Sequence, residues 1–155
     1  TGADAAVVGE KDFRQLHVVR RMARDLDIPI RVIGCPTVRE ADGLAMSSRN
    51  GRLTAEERAV APHLAEALVA ASARLAKGEG LDRVLAQTSA AIVAGGFREV
   101  EYLELRAEDD LAPLARADRP ALLPVAAWLG HVRRVRDVPG PPRVPAPGRS
   151  GSRSL

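Results

Sequence analysis

The sequence has 155 residues, 46% hydrophobic and 28% charged, a length and balance that fit one packed domain of the ordinary soluble kind. Only 3% of it is aromatic and Cys35 is its single cysteine, which argues against a stacking platform for single-stranded nucleic acid and excludes an intrachain disulfide framework or a multi-cysteine metal site. The net charge of +3 is carried by the stretch from Pro139 to Leu155, where Arg143, Arg149 and Arg153 stand with no acid, so a solvated tail is expected and a nucleic-acid partner is not.

No apolar run approaches the roughly 20 residues of a membrane span, and the opening Thr1-Gly2-Ala3-Asp4 lacks the basic and apolar regions of a signal peptide. A cytoplasmic protein with no membrane partner is therefore expected. Ala5-Ala6-Val7-Val8 reads as a buried strand, and such a strand needs neighbours on both sides, so Thr1 reads as a truncation point. From Asp12 the spacing becomes helical, with Phe13, Leu16, Val19, Ala23 and Leu26 on one stripe, ending near Asp27 ahead of Pro29. Ile30 to Ile33 is a second apolar run. The opening thus predicts a parallel βαβ unit, which belongs to a larger sheet because two strands cannot form one alone.

Periodicity disappears from Gly34 to Leu53, and a polar loop of that length is more often functional than idle. Thr54 with Glu57 is a capping box opening a helix along Val60, Leu64, Leu68, Ala71 and Leu75, which Pro62 should bend or restart and Gly78 should close. A second amphipathic stretch through Leu81, Val84, Leu85, Thr88 and Ile92 ends at Gly95-Gly96 and completes a helical pair. Strands are expected at Val100 to Leu105, Ala121 to Leu129 and Val132 to Val138, the last two joined at Gly130-His131, with Pro124 marking an edge strand or a bulge. Residues 139–155, with five Pro and three Gly, are expected to be disordered. The fold class is α/β: a partial Rossmann-like βαβ unit over 1–37, then an α+β domain over 38–138 with a helical pair and a small antiparallel sheet.

Gly9-Glu10-Lys11-Asp12 lies where the first strand gives way to the helix, the place where open parallel sheets bind ligands. Gly9 would let backbone approach a nucleotide, Lys11 would add a point charge for phosphate, and Gln15 shares a face with Asp12; as a bare pattern, helix capping and solubility explain these residues better. Met46-Ser47-Ser48-Arg49 sets two hydroxyls beside a guanidinium, a group that can hold a polyphosphate, or else is a polar loop turning at Asn50-Gly51. Cys35 reads as a small buried side chain, and His17, His63 and His131 as ordinary helix or hairpin residues.

Together, Gly9-Glu10-Lys11-Asp12 with Gln15, Pro36-Thr37-Val38-Arg39-Glu40, and Asp42 through Asn50 closely resemble the pantothenate synthetase family. Tyr102-Leu103-Glu104-Leu105-Arg106 is similar to that family's C-terminal domain. The resemblance covers roughly Ala5 to Asp137. It implies a nucleotidylyltransferase-superfamily ligase in which ATP with Mg2+ activates pantoate as an acyl adenylate and the amine of β-alanine displaces AMP. It also implies that Gly9, Glu10, Lys11, Asp12, Val38 and Met46 contact ATP, that Lys11, Ser47, Ser48 and Arg49 serve its phosphates and the catalysis, and that Gln15 contacts pantoate; no protein-bound metal is expected from this chain. The family's upstream His-x-Gly-His signature is not in this sequence, so the resemblance implies an enzyme incomplete without a partner segment, or else a non-catalytic module that binds a nucleotide or a partner. The family's homodimer rests largely on the N-terminal domain, which leaves the oligomeric state open. The ending Val135-Arg136-Asp137-Val138 departs from the family's usual Asp-Asn.

Overall fold

A computed structural model describes residues 2–140. Strand β1 (Ala5–Gly9), helix α1 (Phe13–Asp25) and strand β2 (Arg31–Cys35) form the expected βαβ unit, with β1 and β2 parallel and Ala5 opposite Arg31. Asp12 caps α1 through its side chain, and Asp27, with φ of 49°, turns the chain out of it. Gly34 on β2 lies against Leu16 and Arg20 of α1, so α1 covers the sheet face that carries Val8 and Gly34. The opposite face, where Val7 pairs with Ile33, is open: these side chains are 68% and 43% exposed. The expectation that β1 is buried is therefore corrected, because a two-stranded sheet with one helix has only one side covered. Leu26 is likewise exposed rather than on the buried stripe, since α1 ends one residue before it. Cys35, at the strand end, is half-buried.

After a 3-10 turn at Ser48–Arg52, helices α2 (Ala55–Val60), α3 (His63–Ala76) and α4 (Leu81–Ala94) follow. The Thr54–Glu57 capping box is formed in both directions, at 3.0 and 3.2 Å. Pro62 restarts the helix rather than bending it, because its ring cannot donate and is tolerated only at a helix beginning. Gly78, at φ of 84°, closes α3.

The second sheet holds β3 (Glu99–Leu103), β4 (Arg106–Ala107), β5 (Ala121–Leu129) and β6 (Val132–Pro139), all pairing antiparallel to β5. Leu64, Leu68, Ala71 and Leu75 of α3 with Val84 and Ile92 of α4 join Leu123, Val125, Ala127 and Leu129 of β5 in the main core. Strand β5 is thus central and buried on both faces, contrary to the edge position expected from Pro124. The Pro124 carbonyl accepts from the Glu104 amide at 3.2 Å, on the side where β3 has ended and β4 has not begun. A strand residue's N–H and C=O point to one side, so the donor proline lacks falls at the break between two short partners. The register shift in this sheet lies instead on β3, between Val100 and Tyr102. Strand β6 reaches Pro139; residues 141–155 of the expected disordered tail lie outside the described residues.

Candidate functional site

The turn after β1 and the loop after β2 meet. The Glu10 amide donates to the Cys35 carbonyl at 2.8 Å, which holds the turn over the end of β2. A Cβ built on Gly9 meets no atom within 4 Å, so the backbone there is open to approach. Asp12 Oδ1 accepts from the Gln15 amide at 3.2 Å, so Asp12 does serve as a helix cap. Lys11 then crosses 35 residues of sequence: its Nζ donates to the Met46 carbonyl at 2.6 Å. That contact puts Lys11 beside Ser47 and Arg49, a juxtaposition no local spacing encodes.

The loop itself is a small hairpin. Met46 N donates to the Val38 carbonyl at 3.0 Å and Glu40 N to the Leu44 carbonyl at 2.8 Å, while Gly43 takes φ of 80° at the tip. Val38 and Met46 face each other across it, 65% and 55% exposed. Ser47 caps the 3-10 turn, its hydroxyl accepting from the Arg49 amide at 3.3 Å. Beneath, buried Asn50 donates from Nδ2 to Glu40 Oε1 at 2.5 Å and to the Ala45 carbonyl at 3.0 Å, and Arg58 of α2 donates to Glu40 at 2.5 Å and to Asp42 at 2.8 Å. Contact with Arg58 first, then with Asn50, holds the Glu40 carboxyl below its usual range.

A cleft of about 60 Å³ opens between this loop and β6, lined by Lys11, Arg39, Ser47 and Arg49 from one side and by Arg134 and Arg136 from the other. Burial, then the neighbouring Arg134, Arg49 and Arg136, pulls the Lys11 ammonium below its usual value. Ser48 is exposed beside the cleft, and Gln15 lies on the exposed face of α1; neither they nor Gly9, Glu10, Asp12, Val38 or Met46 line it. His17, His63 and His131 sit outside it, and the described residues hold no cluster of three or more His, Cys, Asp or Glu able to bind a metal. No helix among them is long and apolar enough to cross a membrane.

A family model described as pantoate-beta-alanine ligase matches residues 1–138. The chain belongs to the pantoate-beta-alanine ligase family. It is 65% identical over 139 residues to the pantothenate synthetase of Chelativorans sp. strain BNC1, covering 90% of this chain and 49% of that protein, and 55% identical over 138 residues to that of Ruegeria sp. strain TM1040, covering 89% and 49%. The crystal structure of pantothenate synthetase from Thermus thermophilus superposes with a TM-score of 0.80 at 40% identity, over 90% of this chain and 50% of that one. A pantoate-beta-alanine ligase structure from Francisella tularensis, complexed with β-γ ATP and β-alanine, shares the fold at 24% identity and a TM-score of 0.58, over 88% and 43%. The chain spans about half the length of the relatives it matches.

The ligase-family match takes in β6, whose chemistry sequence reasoning undervalued. Arg134 and Arg136 are half-buried in the cleft wall, and Arg133, which also lines the cleft, forms an ion pair with Glu101 at 2.7 Å. Asp137 accepts from the Phe13 amide at 3.0 Å and so ties β6 to the start of α1, while Arg14, donating to the Tyr102 hydroxyl at 2.5 Å, ties β3 to the same helix.

Burial pushes the Asp137 carboxyl up, against the pull of Arg14. A carboxyl whose folded pKa lies above its unfolded value, about 4, binds its proton more readily in the native state, so its contribution to stability is lost as pH rises through the folded value. Asp137→Asn keeps an acceptor for Phe13 and cannot ionise. Its melting temperature is expected to gain on that of the unaltered chain as pH is raised from 4 to 7, as differential scanning calorimetry would measure; a constant difference would show that Asp137 titrates normally.

Proposed function

We propose that this chain supplies the phosphate-side half of the adenylation site of an ATP-dependent ligase that joins pantoate to β-alanine. The observation that carries the reading is the Lys11–Met46 contact, which brings the turn after β1 and the Ser47-Ser48-Arg49 loop to one cationic cleft. In this reading residues 1–37 are part of a nucleotide-binding domain and 38–138 a domain that closes over ATP. Gly9, Glu10 and Asp12 border the nucleotide, Val38 and Met46 offer exposed apolar surface to its base, and Gln15 faces pantoate.

In the first step a pantoate carboxylate oxygen attacks the α-phosphorus of ATP, the bond to the β-phosphate oxygen breaks, and pyrophosphate leaves with Mg2+, which enters with ATP as part of the substrate. In the second, the β-alanine amine attacks the acyl carbon and AMP departs. Lys11, Arg49 and the hydroxyls of Ser47 and Ser48 act on the first step: they position the polyphosphate and counter charge that builds on the leaving pyrophosphate. Support for pantoate and β-alanine as substrates comes from the family, whose model is described as pantoate-beta-alanine ligase. The Francisella tularensis ligase structure is complexed with β-γ ATP and β-alanine.

The same reading needs a second segment carrying the His-x-Gly-His signature. The open Val7–Ile33 face of the βαβ unit is the apolar surface such a segment would cover. Pantoate-dependent exchange of pyrophosphate into ATP tests the proposal. The chain alone, measured against its Lys11→Ala variant, is expected to show no exchange, and adding the N-terminal segment of a relative should restore it. Failure to recover with a segment that binds the chain would leave a non-catalytic binding module as the better reading.

A further inference from the structure

Resting on that reading, we infer that Arg134 and Arg136 on β6 form a further oxyanion-binding element, which takes the terminal phosphates of a polyphosphate on the wall opposite Lys11 and Arg49. The sequence motifs place every phosphate contact on the turn and the loop; none places one on the last strand. Arg134 and Arg136, two apart on a strand, point to the same side and line the cleft with Lys11, Arg39 and Arg49. Both are half-buried, and among the described residues neither guanidinium donates a hydrogen bond or forms an ion pair. Arg136 Nε is fully enclosed with no acceptor.

An arginine withdrawn from water without an acceptor is unfavourable, and arginines are otherwise almost never buried unpaired. The surrounding groups deepen the discrepancy. Arg136 stands near Arg39 and Arg134, and Arg134 near Arg49 and Arg58, with Glu40 the acid close to Arg134 but already bonded to Arg58 and Asn50. Glu66 shares a neighbouring groove with Arg136, and among the described residues no ion pair joins them. Asp137, also on the cleft, has one oxygen committed to the Phe13 amide. Burial, then Arg39 and Arg134, lowers the Arg136 guanidinium to about 10, so it stays charged at neutral pH.

The cations around this opening outnumber its acids: Asp137 lines it and Glu40 stands near Arg134, but among the described residues neither forms an ion pair with Arg134 or Arg136. The cleft's volume of about 60 Å³ exceeds the roughly 10–15 Å³ that one water needs, so it admits a group larger than a water. Planar guanidinium forks match phosphate oxygens bidentately. Two sources share that chemistry: the β- and γ-phosphates of bound ATP, and free pyrophosphate.

Isothermal titration of inorganic pyrophosphate and of ATP, each with Mg2+, into the full chain tests the assignment. Arg134→Leu and Arg136→Leu are each expected to weaken pyrophosphate binding about tenfold and the double variant more, with Arg136→Lys recovering part of the loss. Circular dichroism and melting controls should show both single variants folded, and Arg136→Leu melting no lower than the unaltered chain, because it removes a half-buried cation whose Nε is enclosed without an acceptor. A parallel loss for ATP assigns the pair to the nucleotide's tail; a loss confined to pyrophosphate assigns it to the free anion. Pyrophosphate affinity unchanged within twofold in the double variant, or no binding by the unaltered chain, overturns the inference. Lys11→Ala separates it from the wider reading: loss in Lys11→Ala but not in the arginine variants sinks only the pair, and the reverse sinks the nucleotide role of Lys11 while the pair stands.

Discussion

Arg49→Ala, assayed by pyrophosphate exchange in the chain reassembled with an N-terminal segment, is expected to lower the rate about 10²–10³-fold, the usual effect of removing one preorganised group that meets developing charge. The Arg49 guanidinium makes no hydrogen bond among the described residues, although its backbone amide is fixed by Ser47. Its removal should therefore leave the melting temperature nearly unchanged and act on kcat. Lys11→Ala differs because Lys11 also holds the Met46 carbonyl. It should depress kcat by a comparable factor and raise KM for ATP as well, since the loop loses its anchor. Equal effects of the two variants on KM would mean that the Lys11–Met46 contact does not position the loop.

Asn50→Ala is expected to destabilise the chain by about 2–3 kcal/mol, measured by urea unfolding, because it removes two hydrogen bonds and strands a partly buried Glu40 oxygen and the Ala45 carbonyl. Asn50 is only 5% exposed and sits directly after Ser47-Ser48-Arg49, so a loosened brace should also raise KM for ATP. Asn50→Asp should be worse: it keeps the shape but sets a carboxylate against Glu40, which Arg58 alone would then have to neutralise together with Asp42. A wild-type melting curve for Asn50→Asp would show that the brace does not support the loop.

The helical pair, the βαβ unit and the β5–β6 hairpin were legible in the sequence because each rests on local rules: the Thr54–Glu57 box, the stripe Leu64-Leu68-Ala71-Leu75, the turn at Gly130. The misreadings arise where two rules compete. Pro124 argues for an edge, but the unbroken run Ala-Leu-Leu-Pro-Val-Ala-Ala-Trp-Leu argues for a strand buried on both faces, and the second signal won because a break between partners could absorb the missing donor. Val7 looked buried because its run is apolar, while burial depends on what lies across the sheet. In the candidate site, the family motifs pointed to Lys11 and Ser47-Ser48-Arg49, whose meeting across 35 residues is a tertiary fact. Arg134 and Arg136 stayed hidden, since an arginine-rich strand has the same sequence whether it faces water or a cleft.

Pro124 also acts as an alignment key. A strand as uniformly apolar as β5 carries little alternation to set its register, and a slip by two residues against β3 and β4 would leave its core pattern nearly intact. Such a slip would slide the proline out of the break and against a carbonyl it cannot serve, at a penalty of about 1–3 kcal/mol for the orphaned acceptor. The residue that first argues against a central strand is thus the one that discriminates among the misaligned sheets the same run of side chains would otherwise accept.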